Sequence, residues 1–342
     1  MPELPEVEYT ARQVRAVLVG ASIAEAQVFW GRSIARPDPD TFCQEVAGRR
    51  IEGVRRRGKL LLLDLSGDYL LTIHRRMTGN LLVLSPGWRL DCQLLQQDRA
   101  SWDRLGPAFV NESYQCRCLE KQRGEREETL CLLHDQPFYC RLCFTLADGR
   151  LLLYNDLRKF GKLALWPRTQ EAEALAGLGL EPLDPDFTSE RLAVLLQGKK
   201  RPIKQVLLEQ TLIAGLGNIY ADEALFAAAI HPLRRADTLS FEEVVALRQA
   251  IVAVLRLGIE HGGTSFNDYR GLWGEAGNNY AHMQVYQRTG QPCRRCGTAI
   301  QRISIAQRST HFCPRCQPAD RPTSQPVLSP VTGVLGRHIT EV

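Results

Sequence analysis

From Val7 to Val19 the chain reads VEYTARQVRAVLV, with apolar residues recurring at three- and four-residue intervals. That spacing predicts an amphipathic helix, with Gly20 as its stop. From Ile23 to about Leu84 the pattern changes to that of short strands. IEGVRRRGKLLLLDL passes from alternation into an apolar run, and DYLLTIH and NLLVL follow. Strands resume in PFYCRLCFTLADGRLLLYND, where Asp148-Gly149 reads as a hairpin turn. The pattern predicts an antiparallel β domain with a flanking helix.

Between Gly87 and about Gln136 the rhythm breaks. The segment is polar, contains EKQRGEREE, and carries Cys92, Cys116, Cys118 and Cys131. It reads as an insertion between two strands, mostly loop and partly disordered. After Trp166-Pro167 the character turns helical: LGLEPLDPDFT resembles a linker, and helices are expected from Ser189 to about Gly262. A compact cysteine-rich module spans 293–316, and the tail from Gln317 to Val342, rich in Pro, Ser and Thr, is expected to be mobile.

The length of 342 residues is enough for two domains. Net charge is only +5, but it is concentrated. Arg55-Arg56-Arg57-Gly58-Lys59 is basic at four of five positions, and Lys199-Lys200-Arg201-Pro202-Ile203-Lys204 follows later. Between Cys293 and Cys316 there are five arginines and no acid. Patches of this kind suit a phosphate backbone. No apolar run approaches a membrane span and the N-terminus is acidic, so a cytoplasmic protein with no membrane partner is expected. Eleven cysteines in such a chain favour metal ligation and free thiols over disulfides.

Three local motifs carry chemistry. Cys293-x2-Cys296-x16-Cys313-x2-Cys316 matches a tetrahedral four-thiolate zinc site, closed and therefore structural. In AGLGNIYADEALFAAAIHP, Gly215 and Gly217 allow a tight turn with positive φ, and Asn218 suits the N-cap of a helix starting at Ile219. Such a helix start is a phosphate site, although an ordinary capped helix would read the same way. In HRRMTGN and YNDLRKFG, Met77, Arg158 and Phe160 could form a wedge that opens a base step. Composition alone favours core positions for Met77 and Phe160.

The opening MPELPEVE adds a nucleophile. Removal of Met1 would expose the secondary amine of Pro2. With a reference pKa near 7.7–8.0, roughly a tenth of an α-amine is free base at pH 7. It can attack an aldehyde-like carbon and form an iminium, with Glu3 and Glu6 beside it as proton carriers or electrostatic partners.

Taken in order, MPELPEVE, RRGK, MTGN, RKFG, GLGNIYADE and the four-cysteine finger resemble the bacterial formamidopyrimidine-DNA glycosylase family. The resemblance covers nearly the whole chain except the 88–136 insertion and the tail. It implies an α+β protein: a β-sandwich domain at 1–166, a linker at 167–180, a helix–two-turns–helix domain at 181–288, a zinc finger at 289–317 and a tail at 318–342. It implies a base-excision enzyme that flips out oxidised purines (8-oxoguanine, formamidopyrimidines) and excises them from double-stranded DNA. A Schiff base at Pro2 and β,δ-elimination then nick the strand, with DNA gripped between the domains.

By resemblance, Pro2 is the nucleophile, Glu3 the general acid/base, and Lys59 the lysine that contacts phosphate and assists elimination. Met77, Arg158 and Phe160 enter the duplex. Asn218 and Arg308 contact phosphate near the lesion, and Arg308 serves the second elimination. Lys199 is a further DNA contact. The expected cofactor is one structural Zn2+ at Cys293, Cys296, Cys313 and Cys316, with no redox or nucleotide cofactor. The expected state is a monomer associated with the bacterial nucleoid.

Some positions depart from the family pattern. Lys159 stands where arginine is common, and keeps charge without the bidentate fork. Arg75 and Arg76 precede Met77 where less charged residues are common. Tyr139 lies near a place often held by a DNA-contacting histidine. Cys116, Cys118, Cys140 and Cys143 suggest a second metal site, but Cys140 and Cys143 should face opposite ways on a strand. The alternatives are a pyrimidine-directed relative, a damage-binding protein without catalysis, and a non-DNA enzyme with an N-terminal proline.

Overall fold

The computed structural model describes residues 2–90, 119–123, 126–129, 139–266 and 268–319. They group into two compact units: residues up to Ala176 with His261–Asn278, and Gly177–Glu260 with the residues from Asn279 on. The second segment of the first unit departs from the sequence reading, which places 261–278 with the helical domain.

In the first unit, helix α1 (Leu4–Leu18) buries Leu4, Val7, Ala11, Val14 and Leu18 along one stripe. Strand β1 (Ile23–Val28), β2 (Ile34–Arg36) and helix α2 (Pro39–Val46) follow. The sequence reading missed α2, although its signal is local: Asp38 accepts hydrogen bonds from the Asp40 and Thr41 N–H groups, and Pro39 opens the helix. Strands β3 (Ile51–Arg57), β4 (Leu60–Leu65), β5 (Tyr69–His74) and β6 (Gly79–Leu84) come next. Beyond the insertion lie β10 (Cys140–Leu146), β11 (Leu151–Asp156) and β12 (Lys162–Pro167).

These strands form two sheets, ordered β1-β10-β11-β6 and β2-β12-β5-β4-β3. Leu81, Val83, Phe144 and Leu152 of the first share one core with Leu61, Leu63, Ile73 and Leu163 of the second, together with α1 and α2. That is a β-sandwich, as expected. The Asp148-Gly149 hairpin is present, with Gly149 at φ +84°.

Within the insertion, β7 (Trp88–Leu90), β8 (Leu119–Arg123) and β9 (Arg126–Thr129) make a three-stranded antiparallel sheet. These strands were not read from the sequence, because ladder bonds between backbones need no apolar alternation. Cys92, Cys116, Cys118 and Cys131 lie outside the described residues, as does the tail from 320.

Two connections cross from sheet to sheet at the same end of the sandwich. Gly79 pairs with Asp156 on β6 and β11, and His74 pairs with Lys162 on β5 and β12. The turns 75–78 and 157–161 therefore leave side by side. A glycine at the end of each is packed on the Tyr154 phenol: a Cβ at Gly79 or Gly161 would overlap its hydroxyl.

The second unit contains helix α4 (Ser189–Leu196), α5 (Ile203–Leu207), α6 (Asn218–Ala227) and α7 (Phe241–Glu260), then the hairpin of β13 (Gln301–Ile305) and β14 (Arg308–Phe312). A short helix, α3 (Glu171–Ala174), precedes them in the first unit. Helix α6 is buried from Ile219 through Phe226, so it has no polar stripe. No helix among the described residues is long and apolar enough to cross a membrane.

Tyr154 is the common stop for both crossover turns, so Gly161→Ala is expected to lower stability by about 1–3 kcal/mol through overpacking. Chemical denaturation checks this, and a loss under about 0.5 kcal/mol would show that the turn moves aside.

Candidate active site and nucleic-acid interface

The amino terminus is held by one carboxylate. Glu6 Oε2 accepts the Glu3 N–H at 2.7 Å, and Glu6 Oε1 accepts the Thr264 N–H at 2.8 Å. Glu6 is buried, as are Pro2 and Glu3. The first bond is half of a capping box, which satisfies a donor at the helix start. The second ties the same turn to the 261–278 segment of its own unit. Pro2 and Glu3 are thus placed by a buried anchor, where the sequence offered only a linear motif.

Lys59 is in the tight β3–β4 turn beside Gly58, whose φ is +56°. Arg56 of the same hairpin donates to Glu8 on α1 at 2.9 Å, which joins the turn to the first helix. Leu60 pairs with His74, which brings Lys59 to the end of the sandwich where the crossovers leave. Burial, reinforced by the charges of Arg76 and Lys59, pushes His74 down to about 4. A neutral imidazole agrees with its hydrogen bond, since His74 Nδ1 accepts the Arg76 N–H at 3.0 Å.

The two crossover turns expose the residues expected to form a wedge. Met77 is 36% exposed and Phe160 52% exposed, so the core reading of both is overturned. Arg158 lies over the Phe160 ring at 4.9 Å. The turns are cross-locked: Thr78 Oγ1 donates to Asp156 Oδ1 and accepts the Arg158 N–H at 2.9 Å. Asp156 Oδ2 accepts the Gly161 N–H at 2.7 Å. Lys159 has φ +61° and its ammonium sits 4.1 Å from the Trp30 ring centroid, a cation–π contact that braces the turn. Tyr139 is half-buried next to the same strand end, where its carbonyl accepts the Asp156 N–H at 2.9 Å. The Arg141 guanidinium covers the Tyr139 ring at 5.2 Å.

Arg75, which stands before Met77 where less charged residues are common, is fully buried. It donates to Gly79 O at 2.7 Å, Thr10 Oγ1 at 2.6 Å, Asn80 Oδ1 at 2.6 Å and Arg270 O at 3.3 Å. It therefore fastens the Met77 turn to α1 and to the 268–272 segment. The roles of Arg75, Asp156, Thr78 and Trp30 could not be read from the sequence, because they depend on partners distant along the chain.

In the second unit, Asn218 is the first residue of α6 and Gly217 its N-cap, which corrects the expected start by one position. Gly215 takes φ +90°, but Gly217 is extended at −132°. The Asn218 side chain donates from Nδ2 to Ser309 O at 2.8 Å, so it braces the finger beside Arg308 instead of capping its helix. Arg308 is exposed at the start of β14, and half-buried Lys199 follows Gly198 in the turn after α4.

The four cysteines come together with all sulfurs within 4.8 Å of one another. Cys296 and Cys313 are 3.4 Å apart, and Cys293 and Cys316 are 3.9 Å apart. A tetrahedron with Zn–S bonds of about 2.3 Å needs sulfurs roughly 3.8 Å apart, so the set fits zinc. Backbone N–H groups of Arg295 and Cys316 donate to the Cys293 and Cys313 sulfurs at 3.4 Å, which suits thiolates. Among the described residues no other group of three or more such ligands is gathered. A register shift puts Cys140 opposite Asn155 and Cys143 opposite Leu153. The two buried thiols therefore share a face, correcting the expectation that they point apart.

Two outcomes follow. Because His74 is depressed in the fold, the unfolded chain takes its proton first as pH falls. Its stabilising contribution is present above about pH 6.5 and is lost towards pH 4, by up to about 3 kcal/mol. The stability gap between the protein and His74→Gln should therefore narrow or reverse between pH 7 and 4.5 in denaturation curves, and a constant gap would contradict it. Stripping the metal should erase hydrogen-exchange protection at Thr310–Phe312 and leave that of Leu61–Ile73 intact; unchanged protection in the hairpin would contradict a structural metal.

Comparison with known proteins agrees with this geometry. Residues 1–163 match the formamidopyrimidine-DNA glycosylase N-terminal domain, 178–270 the H2TH domain of the same glycosylase, and 290–319 a zinc finger found in FPG and IleRS. A formamidopyrimidine-DNA glycosylase of Roseiflexus sp. is 41% identical over 318 residues, covering 93% of this chain and 100% of its own. The Moorella thermoacetica protein of that name is 44% identical over 306 residues, covering 89% and 94%. A solved complex of Lactococcus lactis Fpg with abasic-site DNA superposes with a TM-score of 0.74 at 31% identity, covering 92% of this chain and 99% of that one. With its three regions in order and full-length relatives above 30% identity, the chain belongs to the formamidopyrimidine-DNA glycosylase family.

Proposed function

We propose that the protein excises oxidised purines from duplex DNA and then cuts the strand at the abasic sugar, with the Pro2 amine as nucleophile once Met1 is removed. The observation that carries this reading is the buried Glu6 anchor. It fixes the residues next to Pro2 in the same unit as Lys59 and the exposed Met77, Arg158 and Phe160.

In the first step the Pro2 nitrogen bonds to C1′ as the glycosidic bond breaks and the base leaves with its electron pair. Glu3 carries the protons of this exchange. Ring opening gives an iminium, which acidifies the C2′ proton. Loss of that proton forms a C2′–C3′ double bond and expels the 3′ phosphate. Lys59 neutralises phosphate charge there and assists the elimination. Arg308 serves a second elimination, and Asn218, Lys199, Lys159 and Tyr139 contribute DNA contacts. Phosphate contacts set the register, while lesion choice comes from the cost of flipping and from the pocket. Cys293, Cys296, Cys313 and Cys316 would hold a zinc ion, which would shape the finger. The chemistry as written needs no redox or nucleotide cofactor, and we assign the protein a monomeric, cytoplasmic role at the nucleoid.

Relatives support the substrate class. Lactococcus lactis Fpg has been solved with abasic-site DNA, and a mutant of it with DNA containing Fapy-dG. One of its structures holds an oxidised pyrimidine, which makes a pyrimidine lesion the natural comparison substrate.

Borohydride trapping on an 8-oxoguanine duplex tests the proposal. The mature protein should form a covalent complex, and Pro2→Gly or a form with extra N-terminal residues should lose at least about 99% of it. No complex with the mature protein would overturn the enzyme reading, and undiminished trapping by the extended form would move the nucleophile away from Pro2. Faster trapping on an oxidised-pyrimidine duplex would shift the substrate class.

A further inference from the structure

Helix α6 lies inside its unit, yet two adjacent acids, Asp222 and Glu223, are buried on it. Both reach towards the finger. The Glu223 carboxylate accepts the N–H groups of Gln284 at 2.8 Å and of Val285 and Tyr286 at 2.9 Å. It holds the chain that leads into the finger.

Asp222 holds the finger itself. One oxygen pairs with the Lys204 ammonium, and both of those side chains are 0% exposed. The other accepts the His311 N–H at 3.0 Å and lies 3.2 Å from His311 Nδ1. Lys204 also donates to Asn218 O at 3.2 Å. One carboxylate therefore joins α5, α6 and β14.

Burying such a pair is a poor way to gain stability, because an apolar pair of similar volume often does as well or better. What a buried pair supplies is a fixed geometry. Asn218 and Asp222 are four residues apart, on one face of α6. They grip β14 at two points, Ser309 O and the His311 backbone. Arg308 is the residue immediately ahead of that grip.

The turn before Arg308 shows why a grip is needed. Ala306 and Gln307 both have positive φ, +48° and +60°, in a two-residue hairpin connection. Glycine or asparagine normally occupies such positions, and other residues hold them only where the surroundings enforce it.

We infer that Asp222 is a positioning residue for the second elimination: by clamping β14 it places Arg308 at the phosphate that leaves in that step. The inference rests on the lyase reading above. In the second elimination a proton leaves C4′, the C5′–O bond breaks and the phosphate departs with the electron pair. A guanidinium stabilises that anion only if it is already in place.

The test compares fragment ends on a gel after reaction with an abasic-site duplex. In Asp222→Asn, with zinc content retained, borohydride trapping should stay within about twofold of the unaltered protein. The ratio of doubly to singly eliminated ends should fall about tenfold, as in Arg308→Ala. The ratio counts only molecules that turned over, so partial unfolding does not shift it. Lys204→Met/Asp222→Leu, which leaves no unpaired buried charge, should show the same fall. An unaltered ratio in either variant would overturn the inference, as would equal losses of both products. Failure of the unaltered protein to trap, or of Arg308→Ala to lose the second cut, would instead remove the reading beneath it.

Discussion

An amine that is to attack a sugar carbon has to carry no acyl group and still stand in one place. Those demands conflict, because a free chain end has few neighbours to hold it. Glu6 resolves the conflict from the third residue of the first helix. Its two carboxylate oxygens fix the Glu3 and Thr264 N–H groups, and the helix behind it is bolted into the core by Leu4, Val7 and Ala11. Removing that carboxylate would leave two buried donors without partners and the chain end without a frame.

The same device recurs elsewhere. The Met77 turn and the Arg158–Phe160 turn are exposed at their tips but held at their roots by Thr78, Asp156 and Arg75. The finger is exposed at Arg308 and held at its root by Asn218 and Asp222. Each time, a buried polar group fixes where an exposed side chain begins. Such pre-placement is what lets a side chain act without reorganising at the moment of reaction.

Much of this was legible in the sequence. The period of Val7–Val19 gave α1, alternation gave the strands, and cysteine spacing gave the finger, because each depends on neighbours close along the chain. The wedge residues were legible as types but not as exposed, since a methionine and a phenylalanine read as core until their turn is known. The anchors were not legible. Glu6 meets Thr264, Arg75 meets Thr10, and Asp222 meets His311 across separations no local pattern records. The return of 261–278 to the first unit was hidden for the same reason: Leu272, one apolar residue in a glycine-rich stretch, is fully buried in the sandwich core.

The central claim is that the chain end itself does the covalent chemistry. Tandem mass spectrometry of the borohydride-fixed complex, after digestion of protein and DNA, tests it at a single atom. The added sugar mass should sit on the nitrogen of an N-terminal Pro2 peptide. Its appearance on Lys59, Lys159 or any other lysine, with the Pro2 peptide unmodified, would contradict the account.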